Sequence, residues 1–151
     1  MNAPSPKKSA RRRSREVALQ GLYQWLVSPD DTGLILSHAH EFDEYPECDK
    51  RHFNLLLQGC IQDCAALNSL IAQHIDRQIQ ALSPIEHAVL MIGTWELVHS
   101  PEIPYRVVIN EAVELAKLYG ATDGHKFVNG VLDRIAAETR STEIQDRTTS
   151  A

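Results

Sequence analysis

Ser83-Pro84-Ile85-Glu86-His87-Ala88-Val89-Leu90-Met91-Ile92-Gly93-Thr94-Trp95-Glu96-Leu97-Val98-His99 is the stretch that decides the fold. It opens on a helix start signal. The Ser83 hydroxyl can accept from the third amide, Glu86 can reach back, and Pro84 at the first helical position wastes no N–H. From Ile85 to about His99 the side chains are apolar on nearly every side. A helix with no polar face is buried all round, so this one belongs at the centre of the core and needs neighbours to cover it.

The neighbours are also helices. Ser9 can cap one that starts inside an arginine run and carries Ala18, Leu22, Trp25 and Leu26 on one face, ending at Ser28-Pro29-Asp30-Asp31-Thr32-Gly33. A short element fits at 34–38, followed by an acidic loop over 41–47. Asp49 is an N-cap for a long helix whose stripe is Phe53, Leu56, Leu57, Cys60, Ile61, Cys64 and Leu67, and Ile71, Ile75, Ile79 and Leu82 extend the helical period. After Ser100-Pro101-Glu102-Ile103-Pro104, a helix over 105–119 aligns Val108, Ala112, Leu115 and Tyr119, with Gly120 as a left-handed cap. The last helix starts near Thr122 or Asp123 and packs Phe127, Val131 and Ile135. No alternating run is bounded by hairpin chemistry. The expectation is an all-α compact bundle of about seven helices: a disordered basic extension over 1–9, a helical domain over 10–139, and a disordered tail over 140–151.

The chain has 151 residues, 43% of them hydrophobic, and a net charge of −5. That average conceals a polarity. Residues 1–15 hold six basic side chains and no acid, leaving nine basic against twenty acidic in the rest. A basic segment on an acidic body implies an anionic partner held at one place, such as nucleic acid. Cys48, Cys60 and Cys64 are too few for a disulfide framework and point to a reducing cytoplasm. Neither a secretory signal nor a membrane partner is expected, because no charge-free apolar run is long enough to span a bilayer.

Ser9-Ala10-Arg11-Arg12-Arg13-Ser14-Arg15 is the most specific functional signal, with four arginines in five residues. Guanidinium groups grip phosphates with paired donors and stack on bases, and arginine-rich segments order on RNA; a solvated solubilising tail is the plainer alternative. Gly120-Ala121-Thr122-Asp123-Gly124-His125-Lys126-Phe127-Val128-Asn129-Gly130 is a glycine-flanked turn feeding a helix, which can receive an anion. By itself it reads more readily as a tight turn with Asp123 as cap and Phe127 in the core, because turns of this kind are common. Cys60 and Cys64 lie one turn apart but on the apolar face, with no Cys-x-x-Cys pair, so no metal is expected. No nucleophile elbow, phosphate-binding loop or dinucleotide fingerprint is present, so neither an enzyme nor a cofactor is expected.

Ala10-Arg11-Arg12-Arg13-Ser14-Arg15-Glu16, Leu22-Tyr23-Gln24-Trp25, the stretch from Pro104 to Lys117 and His125-Lys126-Phe127-Val128-Asn129-Gly130-Val131-Leu132-Asp133 closely resemble the bacterial transcription antitermination family NusB. The resemblance runs from about residue 10 to 139. It implies two small perpendicular three-helix-type subdomains, the partner NusE (a small-subunit ribosomal protein), and single-stranded boxA-type RNA read by the pair during ribosomal RNA transcription, in an antitermination complex with RNA polymerase. By the same resemblance Arg11, Arg12, Arg13 and Arg15 match the family's RNA-binding arm, Asp123, Lys126 and Phe127 a second RNA-proximal region, and Tyr23 and Glu86 the face that meets NusE. The related domain also occurs fused to an RNA methyltransferase, an activity not expected here. The alternatives are a DNA-binding helix-turn-helix module built on the Gly120 turn and a purely protein-binding scaffold. Against the first, the last helix offers few bases beyond Lys126 and Arg134.

Overall fold

The computed structural model describes residues 8–29 and 31–149. Residues 1–7 of the expected basic extension, Asp30, and residues 150 and 151 lie outside the described residues. Among those described there are eight α-helices and no strand: α1 (Ala10–Val27), α2 (Thr32–His38), α3 (Lys50–Gln62), α4 (Cys64–Ala72), α5 (Pro84–His99), α6 (Tyr105–Tyr119), α7 (Gly124–Thr139) and α8 (Ser141–Thr149). Single 3-10 turns occupy Ala39–Glu41, Tyr45–Glu47 and Ile79–Ala81.

As its apolar sequence requires, α5 is central. Ala88, Val89, Leu90 and Met91 are wholly buried. Helices α1 and α3 pack on it and on each other, and so do α6 and α7, so two three-helix groups share one helix. Ser83 caps α5 as expected, accepting from the Glu86 amide at 3.1 Å. The return bond from Glu86 is not made.

Three expectations are corrected. The stripe from Phe53 to Leu67 belongs to two helices, not one: α3 and α4 meet at Asp63 with a 74° bend. Asp63 leaves helical geometry and its carboxylate pairs with His99 Nε2 at 3.0 Å, at the far end of α5. One turn earlier Gly59 admits the Trp95 indole, whose Nε1 would lie 2.3 Å from any Cβ there. The apolar spacing continues through the bend because both helices wrap α5. The period also stops at Ala72, and Ile79 sits in a 3-10 turn.

Gly120 is not left-handed. Its φ of −95° and ψ of −178° are extended. Glycine is needed there for close approach, since a Cβ would come within 2.7 Å of the Ala116 carbonyl oxygen, which accepts the Gly120 amide.

The disordered tail expected from residue 140 is replaced by α8. Buried Arg140 donates to the carbonyls of Glu96 (3.2 Å), Leu97 (2.7 Å), Ser100 (2.8 Å) and Ile103 (2.9 Å). The last carbonyls of a helix have no intrahelical donor, so one guanidinium from α7's end caps α5. Glu143 of α8 bonds Arg140 at 3.1 Å and accepts from the first amide of α6, Tyr105 N, at 3.2 Å. Arg140 and Glu143 thus serve these backbone ends.

Candidate nucleic-acid interface

The arginine run is the first turn of a folded helix rather than a free arm. Ser9 accepts from Arg12 N at 3.0 Å, and the Ala10 carbonyl accepts both the Asp49 amide and the Ser14 hydroxyl, fastening this turn to the start of α3. Its cations are engaged by the protein's own acids. Arg12 makes a bidentate pair with Glu111 of α6 at 3.0 and 3.1 Å. Arg13 bonds Glu44 and reaches Glu47 at 3.2 Å. Lys8 Nζ lies 2.9 Å from buried Glu16. Arg11 is the least committed, half exposed with Asp49 no nearer than 4.0 Å.

Arg15 departs from the reading of the run as RNA-facing. It is only 4% exposed and pairs with Glu96 of α5 through bonds of 2.7 and 3.0 Å. His52 Nε2 approaches the same carboxylate at 3.4 Å. Burial by itself would raise the Glu96 carboxyl, but hydrogen bonds from His52 and Arg15, together with their charge, outweigh it and hold Glu96 below the usual glutamate range. Buried Ser14 and Glu16 flank Arg15, so this face of the first turn points inward. The bond to Glu16 chiefly raises the Lys8 ammonium, and the bond to Glu111 chiefly raises the Arg12 guanidinium.

Helix α6 links this turn to the second candidate. Glu111 holds Arg12, and Tyr119 ends the same helix two turns further on. Gly120 follows directly. In the turn beyond it, Asp123 was expected to cap α7 through its side chain and does not; its carboxylate faces Lys126 at 3.5 Å, and both are largely exposed. An i,i+3 partner in solvent competes with the backbone amide for the same oxygen. Phe127 is half-buried against the core, and the Arg77 guanidinium lies 4.6 Å from its ring centre. Glu86 stands beside this turn, its Oε1 3.0 Å from where a Cβ on Gly124 would sit. Tyr23 is elsewhere, 39% exposed in a groove of about 440 Å³ between α1 and α2 with Val27 and Leu34. The structure thus brings Glu86 to Gly124 and leaves Tyr23 on another surface.

The sequence reading missed Glu96, Glu111 and Glu44 as arginine partners, and Arg77 as the cover of Phe127. Only Glu96 carried a signal, as the one charged residue between Ala88 and Val98. Cys60 is fully buried, which pushes its thiol well up. Among the described residues no group of three His, Cys, Asp or Glu side chains is placed to hold a metal. No single helix there is long and apolar enough to cross a membrane.

The model of the NusB family matches residues 12–137. The chain is 51% identical over 145 residues to the transcription antitermination protein NusB of Cupriavidus pinatubonensis, covering 96% of this chain and 87% of that one. It is similar in structure to T. maritima NusB, with a TM-score of 0.73 at 31% identity over 91% of this chain and 94% of that one. A crystal structure of the antitermination factors NusB and NusE in complex with double-stranded RNA gives a TM-score of 0.73 at 26% identity, over 83% of this chain and 95% of that one.

Proposed function

The chain belongs to the NusB family, and from that premise we propose that it is a cytoplasmic, non-enzymatic RNA-binding antitermination factor. With NusE it recognises boxA-type RNA in a transcription complex with RNA polymerase. The observation that carries the reading is the run of cations along the first turn of α1, held at or near the surface by carboxylates that a phosphate can replace. Arg11, Arg12 and Arg13 are the phosphate contacts. Arg15 supports them from inside by anchoring the turn to Glu96. Lys126 and Phe127 form the second contact region beyond α6, and Asp123 opposes the polyanion there. Glu86, beside Gly124, and Tyr23, on a separate surface between α1 and α2, are the two positions assigned to NusE. The helical domain runs from residue 10 through α8.

Titrating labelled single-stranded boxA RNA, with duplex RNA as competitor and with or without NusE, tests this. The log–log salt dependence has an expected slope of about −0.7 per phosphate contact. Replacing Arg11, Arg12 and Arg13 by alanine is expected to flatten it while unfolding stays cooperative. An unchanged slope in the triple variant moves the RNA site elsewhere on the protein.

A further inference from the structure

A cavity of about 470 Å³ opens between the 73–77 segment and α7, walled by His74, Asp76, Arg77, Phe127 and Arg134. Its volume lies within the range of small-ligand sites. Two guanidinium groups and the Asp76 carboxylate line it. Arg77 Nε donates to Asp76 at 3.2 Å, which fixes the rotation of the guanidinium plane. The guanidinium carbon lies over the Phe127 ring, 4.6 Å from its centre, and the side chain is still 45% exposed. Arg134 donates from Nε and Nη2 to the His74 carbonyl at 3.2 and 2.7 Å, leaving Nη1 without a partner among the described residues. Glu138, near the same segment, is paired with His74 at 2.9 Å.

We propose that this cavity is a nucleobase-stacking subsite, in which Arg77 lies on Phe127 and offers its outer face to a base of the RNA strand while Arg134 meets the adjoining phosphate. The proposal rests on the RNA-binding reading above and changes one part of it: the base stacks on Arg77, because Phe127 is already covered. Guanidinium planes, like aromatic rings, stack on unpaired bases, and a ring beneath the cation keeps it flat and desolvates one side. The location is consistent with this role. Phe127 follows Lys126 directly, so a strand leaving the 120–126 turn reaches the cavity next.

The test uses the full chain and single-stranded boxA RNA carrying 2-aminopurine at each position in turn. Arg77→Lys keeps the charge and removes the stacking plane. It is expected to weaken binding by about fivefold or more, to leave the salt slope unchanged, and to abolish quenching at one base, with the melting temperature unchanged. Arg77→Met, which keeps an unbranched stem over Phe127, is expected to lose the same quenching and stands in if the lysine variant fails to fold. Normal affinity and normal quenching in a folded Arg77 variant overturn the subsite. Normal RNA binding with weakened NusE binding makes the cavity a protein contact and also overturns it. If Arg12→Ala and Phe127→Leu bind RNA like the parent protein, the RNA reading itself fails; if they weaken binding and Arg77→Lys does not, only the subsite fails.

Discussion

Arg15 and Glu96, 81 residues apart in the chain, meet through two parallel hydrogen bonds of 2.7 and 3.0 Å in the interior. The pair joins the first turn of α1 to the central helix. It takes one of the four clustered arginines out of contact with solvent, and by fixing the turn it sets where the other three point.

Removing one member of this pair leaves an uncompensated buried charge. Arg15→Met is therefore expected to cost about 3–5 kcal/mol, read as a lower urea midpoint with an unchanged m-value. Arg11→Ala, on an exposed side chain four residues earlier, is expected to stay within about 0.5 kcal/mol. Equal effects of the two substitutions would show that the Arg15 pair does not hold the turn.

The same pair sets an acid limit. Because Glu96 titrates lower in the folded protein than in the unfolded chain, the unfolded state binds more protons as the pH falls. The contribution of Glu96 is whole above the usual glutamate range and is lost as pH drops through its depressed folded value. Urea unfolding from pH 6 to pH 3 should show the parent protein losing more stability over that range than Glu96→Gln. Parallel curves would contradict the depressed carboxyl.

Glu111 competes with RNA for Arg12. Glu111→Gln removes the ionic half of a bidentate pair on a part-exposed surface. RNA binding should tighten a few-fold at low salt, with the gain fading towards 0.15 M, where the screening length is about 8 Å. Fluorescence anisotropy across a salt series measures it. Weaker binding by a folded Glu111→Gln protein would mean that the carboxylate positions Arg12 for RNA rather than blocking it.

Asp123 makes no capping bond, so Asp123→Asn should leave the melting temperature nearly unchanged. It frees Lys126 and removes one negative charge from the 120–127 turn. Tighter RNA binding is expected, again most visible at low salt. Unchanged affinity would make this turn a connection only.

The helical class and its centre were legible because helix periodicity and capping are local. Ser83 and Pro84 open α5, Ser9 opens α1 and Asp49 opens α3 within a few residues of the apolar runs they serve. Gly120 was legible as a stop but not in conformation, since an extended glycine and a left-handed one look the same in the sequence. The bend at Asp63 was hidden because it goes with the packing of α3 and α4 on α5, a different helix.

Sequence alone determined that the protein is all helical, that 85–99 lies at the centre, and that positive charge is concentrated at one end. Those properties follow from composition and from spacing along a single helix. Tertiary structure alone decided what each charged group does. A guanidinium becomes a surface contact, an internal anchor such as Arg15 or a helix cap such as Arg140 according to which carboxylate or carbonyl the fold places within hydrogen-bonding distance. The partners that decide it lie 31 to 99 residues away, so no local pattern encodes the choice.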